Sequence, residues 1–238
     1  MVIFLRIVLA AFAVLFCCWA TPASASAQAV VGLAEPQTSV GRDGSAVTVW
    51  TEQTSPTGKP RVMAAYRKPR ASRFGRKRML TRGPAASQVA LARRGERLLA
   101  VWQRGGQLEC RSSMNGGRSW DRAVTVADAD LFVGQISAAL SPSGAALVSW
   151  WQLQWAADGT VEQLTYQYAF APAGRSFNDA VQLERRSAAA EPELEMNAFI
   201  SSRFLADGDA QVSWHTDQTG RTQRTVQLDG QGLPAAAG

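Results

Sequence analysis

Histidine and cysteine are what this chain has least of, and their scarcity removes whole classes of chemistry. There is one histidine, His215, and of three cysteines two, Cys17 and Cys18, stand in the first twenty residues. A zinc site of ordinary ligand spacing and a histidine-based triad are therefore not available. Cys110 alone remains beyond the leader, so no intramolecular disulfide forms there, and it reads as a small buried hydrophobe within a strand. No glycine-rich phosphate loop is present. Acidic residues are missing altogether between positions 53 and 95, where twelve lysines and arginines stand. Such a basic stripe attracts anionic polymers, among which an exported protein meets acidic polysaccharide and charged envelope surfaces more often than nucleic acid.

The expectation of export comes from the first residues. Arg6 leads into an apolar run over residues 7–20, and small residues then offer A-x-A cleavage sites at Ala23-Ser24-Ala25 and Ala25-Ser26-Ala27. The run is shorter than the roughly 20 residues of a spanning helix. Residues 1–27 are thus expected to be a signal peptide, with no stable membrane span once it is cleaved. Phe16 and Cys17 stand where a lipoprotein signal needs a small residue before the modified cysteine. Residues 28–238 are expected to form a single repeat domain in a secreted or envelope-bound protein. About 210 residues bury enough surface for a core without disulfides.

The repeat emerges when the chain is aligned on a glycine that precedes an alternating apolar run. Gly44 precedes Trp50, Gly95 precedes Trp102, Gly144 precedes Trp150 and Gly208 precedes Trp214. Glycine supplies the turn and the apolar residues suit a pleated strand. A shorter strand lies upstream of each glycine, at 38–40, 88–92, 135–140 and 198–205. A polar turn and a third strand lie downstream, at 61–67, 107–112, 161–170 and 221–228. A fourth strand follows in three units, at 76–80, 123–127 and 180–183. The last unit lacks one, and residues 29–34 are expected to complete it. Four four-stranded antiparallel sheets at this period predict an all-β chain, a β-propeller of about four blades closed by its N-terminal strand.

Trp50, Trp102, Trp150 and Trp214 read as blade-to-blade core, because each recurs at one position of one strand. Trp151 and Trp155 alternate onto the opposite face from Trp150 and are the candidate ligand platform.

The most specific local motif is Ser113-Met114-Asn115-Gly116-Gly117-Arg118-Ser119-Trp120. It resembles the Asp-box of sialidase-like propellers, with asparagine in place of aspartate. Weaker copies stand at the same phase, at Ala173-Gly174-Arg175-Ser176-Phe177 and Arg70-Ala71-Ser72-Arg73-Phe74. The resemblance implies structural roles for Ser113, Asn115, Gly117 and Trp120. It also implies what sialidase chemistry would require: an arginine cluster, a tyrosine nucleophile paired with a glutamate, and a separate acid. Tyr66-Arg67-Lys68-Pro69 is similar to the arginine motif of that family, but Lys68 replaces isoleucine and the segment follows a third strand instead of preceding the first box. Spacing pairs none of Tyr66, Tyr166 and Tyr168 with a particular glutamate. Acidic groups at Asp128 and Asp130, at Glu191, Glu193 and Glu195, and at Asp207 and Asp209 share no repeated spacing, so turn solvation accounts for them better than calcium does. No metal or cofactor is expected.

The leading expectation is a non-catalytic binding or scaffold module for anionic glycan or an envelope partner, with Arg67, Arg70 and Arg73 as ligand-binding candidates. A sialidase-like glycoside hydrolase and a structural, oligomer-forming propeller are the alternatives.

Overall fold

A computed structural model describes residues 31–32, 35–53, 58–81, 86–129, 132–187, 198–215 and 223–235. Residues 1–27, Asp130, Glu191, Glu193 and Glu195, most of the turn at 55–58 and all of the turn at 217–220 lie outside them. Among the described residues all regular structure is strand.

Four antiparallel sheets follow one another along the chain. The first holds β1 (Val31–Gly32), β2 (Gln37–Val40), β3 (Ala46–Gln53), β4 (Arg61–Arg67) and β5 (Arg78–Met79). The second holds β6 (Ala86–Arg94), β7 (Arg97–Arg104), β8 (Gln107–Ser113) and β9 (Val124–Asp128). The third holds β10 (Phe132–Leu140), β11 (Ala146–Trp155), β12 (Val161–Ala171) and β13 (Val181–Ser187). The fourth holds β14 (Ile200–Phe204), β15 (Ala210–His215) and β16 (Gln223–Leu228). Each sheet is a meander in chain order. The first strands of successive sheets lie side by side, β2 beside β6, β6 beside β10 and β10 beside β14.

The glycine before each second strand does what its position requires. Gly44, Gly95, Gly144 and Gly208 all have positive φ, from 61° to 100°, a region costly for any residue with a Cβ. In the second unit Arg94 pairs with Arg97 across a two-residue loop. In the first unit the last strand pair is Val40 with Ala46, across a longer one. Each glycine nevertheless stands two residues before its strand begins; Trp102 follows its glycine by seven residues and the others by six because Trp102 is the sixth residue of β7, whereas Trp50, Trp150 and Trp214 are the fifth of theirs.

The N-terminal strand is not where the sequence places it. Val31 and Gly32 pair with Gln53 and Glu52 of the first sheet, in line with β2 and on the edge of β3 opposite β4. The starts of β6 and β10 hold the same place in their sheets, Ala86 opposite Arg104 and Phe132 opposite Leu153. Residues 31–32 are therefore the first half of their own unit's first strand, and they do not complete the fourth sheet. Among the described residues that sheet gains a bridge from Leu228 to Pro234, closed by Ala235 N–H donating to Gln227 O at 2.9 Å.

Three apolar clusters join consecutive sheets, and none of them joins the fourth to the first. Trp102 lies among Val47, Val49, Val62 and Ala64 of the first sheet, Trp150 among Val101, Leu108 and Cys110 of the second, and Trp214 among Leu147, Leu164 and Tyr166 of the third. Each tryptophan thus packs on the sheet before its own. Trp50 alternates away from Val47 and Val49, is only half-buried and belongs to no such cluster, which corrects its place among the blade-to-blade tryptophans. No described sheet precedes its own.

Trp151 requires a second correction. The face opposite Trp150 meets the fourth sheet, so Trp151 is buried there at 9% exposure. A Cβ on Gly134 would stand 1.6 Å from its ring. Four residues on, Trp155 would share that face, but the register shifts between Gln154 and Trp155 and leaves Trp155 48% exposed.

Truncating an enclosed indole removes more packing than truncating a half-covered one. Trp102→Ala is expected to lower unfolding free energy by about 3–5 kcal/mol and Trp50→Ala by less than half as much. Urea melts of the two variants check this, and equal losses would mean that Trp50 is as enclosed as Trp102.

Candidate polyanion-binding groove

The Asp-box turn is the natural starting point, since it walls a strongly basic concavity. Ser113 is buried, and its Oγ accepts from Gly117 N–H at 2.9 Å. Asn115 Oδ1 accepts from Ser119 N–H at 2.9 Å, and Asn115 Nδ2 donates to Ser119 Oγ at 2.8 Å. An asparagine thus closes this turn with one donor more than an aspartate has. Gly117 combines φ of 89° with a close approach to the first sheet, for a Cβ there would lie 2.4 Å from Val47. Trp120 packs against the cluster between the first two sheets.

The same closure recurs after the third strand of every unit. Gly75 N–H donates to Tyr66 O at 2.9 Å, Asp121 to Ser112 O at 2.9 Å and Asn178 to Phe170 O at 2.8 Å, with Ala235 completing the set. The fourth turn, Asp229-Gly230-Gln231-Gly232, was not legible as a box copy because serine and tryptophan are absent from it. Its signal is the Asp229 side chain, which accepts from Gln231 and Leu233 N–H at 2.8 and 2.9 Å.

Between the box of the second unit and the returning turn of the first lies a groove of about 1070 Å³. Its cationic lining is Lys68, Arg73, Arg76, Lys77, Arg78 and Arg118, and no carboxylate lines it. Lys77 pairs with Glu52 at 2.5 Å, Arg78 donates to Arg118 O at 2.7 Å, and Arg118 lies 3.9 Å from Glu96. Arg118 Nε also donates to Tyr66 Oη at 3.2 Å, with its guanidinium 5.3 Å from that ring's centroid, and the phenol bond holds its pKa above the ordinary arginine value. Lys68, Arg73 and Arg76 are exposed, and their side chains have no ion-pair or hydrogen-bond partner among the described residues. Like charges so arranged attract a multivalent anion.

Of the three arginines expected from sequence, only Arg73 lines this groove. Arg67 is half-buried, donating to Gly44 O at 3.4 Å and standing 5.8 Å over the Phe74 ring, so it braces the turn. Arg70 sits at φ 61° after Pro69, in a turn closed by Ala71 N–H to Lys68 O at 3.2 Å. That is the third position of a type II turn, where glycine is preferred. Arg76, Lys77 and Arg78 belong to the basic stripe but not to the expected site, and Arg118 was hidden inside a motif read as structural. Trp151 is enclosed, while Trp155 remains at the surface, away from this groove.

Tyr166 stands opposite Glu184 across β12 and β13, but it is enclosed. Tyr166 and Tyr168 are each 1% exposed, and burial pushes Tyr166 up to about 12 and raises Tyr168, opposite to what a nucleophile requires. Tyr168 Oη donates to Gly232 O at 3.0 Å. Tyr66 meets Arg118, and no carboxylate bonds to it among the described residues. Among the described residues no three histidine, cysteine or acidic side chains gather to hold a metal, and no helix is long and apolar enough to cross a membrane.

No protein-family profile matches the chain, and no curated protein matches it. Solved structures do. A protein of unknown function from Dyadobacter fermentans DSM 18053 aligns at TM-score 0.53 and 11% identity over 79% of this chain and 50% of its own. The GH93 α-L-arabinofuranosidase of Fusarium graminearum, solved with arabinobiose, aligns at 0.50 and 10% over 85% of this chain and 66% of its own. A Trypanosoma rangeli sialidase mutant with trans-sialidase activity gives 0.48 and 9%, over 81% of this chain and 35% of its own. This chain spans about half the length of the Dyadobacter protein and just under two thirds of the arabinofuranosidase. At such identity the likeness is one of fold alone, and it carries no chemistry.

Burial also sets the alkaline limit of the fold. Cys110, lifted by burial and then by Glu109, moves from 9.0 to about 12, and Tyr166 from 10.0 to about 12. The folded chain keeps both protons where the unfolded chain releases them, so stability is full below about pH 9 and falls as pH rises to about 12. The slope is at most about 1.4 kcal/mol per pH unit for each group. Chemical melts across this range should show Cys110→Ala delaying the onset to about pH 10, and an unchanged onset would place the loss elsewhere.

Proposed function

We propose that the chain is an exported, non-catalytic recognition module that holds an anionic polysaccharide in the groove between its first two units. The observation that carries this reading is the groove itself: six cations, no lining carboxylate, and three cations without partners among the described residues. An apolar leader with A-x-A sites supports export. The enclosed tyrosines favour binding over turnover. Likeness in fold to an arabinofuranosidase keeps hydrolysis as the reading to be tested against.

Titration with dextran sulfate or polygalacturonate by calorimetry is the direct test. Affinity is expected to fall by about tenfold or more between about 50 and 200 mM salt, as counterion release dictates. Arg73→Glu with Arg76→Glu should weaken binding at low salt by at least a further tenfold or so while leaving the melt unchanged. Salt-independent binding, or binding indifferent to that double reversal, sinks the groove assignment. Turnover of fluorogenic glycosides, abolished by Tyr66→Phe, would replace recognition with hydrolysis.

A further inference from the structure

A second groove, of about 620 Å³, lies one unit along the chain. It is bounded by the box turn of the second unit and by the corresponding turn of the third, where Gly174-Arg175-Ser176-Phe177 repeats Gly117-Arg118-Ser119-Trp120. Arg175 and Phe177 therefore stand to this groove as Arg118 and Trp120 stand to the first. The two concavities share a wall. Gly117, Arg118 and Trp120 face the first, while Met114, Asp121 and Arg122 of the same turn face the second.

The lining of the second groove differs in a telling way. Arg122 and Arg175 are exposed, and their side chains have no partner among the described residues. Arg97 is held, its Nη1 donating to Ser143 O at 2.9 Å. Asp121 is the one carboxylate of the lining. Beside these charges lie exposed aliphatic surfaces, Met114 at 59% and Val124 at 52%. Cations set beside aliphatic patches suit a sugar chain, which alternates acidic groups with C–H faces. Single-stranded nucleic acid is held instead on open aromatic faces on which bases stack. The grooves offer none: Arg118 covers the Tyr66 ring, and Trp120 and Phe177 are half-buried.

Resting on the proposed reading of the first groove, we infer that one acidic polysaccharide chain lies across both grooves, crossing the turn at residues 113–122 between them. The first groove anchors it by charge, and the second reads its length. Once one segment is seated, the next engages as an intramolecular event at high effective concentration, so affinity depends on a chain long enough to reach both sites.

The test uses a ladder of size-defined heparin oligosaccharides titrated into the full chain, the Arg73→Glu/Arg76→Glu variant and an Arg122→Glu/Arg175→Glu variant. For the unaltered chain, affinity should rise by about tenfold or more from the shortest binding oligosaccharide to a plateau length. The Arg122/Arg175 variant should bind the shortest one within about twofold of normal and lose the gain with length. Equal affinity at every length, or a gain that survives in that variant, overturns the two-groove chain while leaving the first-groove reading intact. Absence of binding by any oligosaccharide overturns both. Poly-dT bound more tightly than heparin of equal charge, with the same dependence on Arg122 and Arg175, overturns the polysaccharide assignment.

Discussion

Everything in this fold depends on one contact, repeated three times: the tryptophan of a second strand seated on the sheet before it. Trp102 and Trp150 are fully enclosed and Trp214 nearly so. An indole of this kind removes about 150–250 Å² from water, and its directionality orders the sheets as a stack with a beginning and an end. Two of the three also place their N–H. Trp102 Nε1 donates to Glu109 Oε2 at 3.2 Å, with Arg104 bonded to the other oxygen of that carboxylate, and Trp214 Nε1 donates to Glu184 Oε2 at 2.5 Å, with Arg224 at 3.7 Å. Trp150 Nε1 is buried without a partner in the described structure, so its site holds by packing alone.

Directionality leaves the two end faces unequal. The outward face of the first sheet carries Trp50, half-buried, with Met79 46% exposed beyond it and Val40 62% exposed on the neighbouring strand. The face of the fourth sheet turned away from the third carries Arg203, Gln211, Ser213 and Thr225, linked by Arg203 Nε to Gln211 Oε1 at 2.5 Å and by the Ser213–Thr225 hydroxyl contact at 2.9 Å. The other sheets offer the next tryptophan valine, leucine or aromatic surface. The fourth offers hydroxyls and amides, the character of a terminal cap in stacked repeats. Among the described residues, apolar packing therefore runs from the first sheet to the fourth, and no apolar cluster joins the fourth to the first.

Elements carried by periodicity were legible in the sequence, and those carried by pairing were not. Third strands at 61–67 and 161–170 fall within a residue of the observed bounds, because glycine turns and alternation both mark them. Residues 31–32 give no such mark: two residues of backbone pairing have no side-chain code, and their partner is set by continuity with β2. Alternation placed Trp151 opposite Trp150 correctly in direction, but it cannot say whether water or another sheet lies on that side. The arginines divide in the same way. Composition marked the stripe, whereas the choice of Arg73 over Arg67 follows from where one turn returns the chain.

A simpler account of the basic residues is edge protection, since an exposed strand carrying lysine or arginine resists pairing with another chain. The first sheet has reason for it: β5 spans two residues where β9 spans five and β13 seven, so much of the outer edge of β4 is open. Edge protection, though, acts strand by strand and asks nothing of the next unit. Here Arg118 arrives from a different sheet, on a turn held by Ser113 and Asn115 and pressed against Val47, and its guanidinium lies against the Tyr66 ring at the groove wall. Bringing a further cation toward Lys68, Arg73 and Arg76 raises their mutual repulsion. A guard would avoid that cost, while a polyanion seated among them removes it, so the convergence of charge from two units favours a site over a shield.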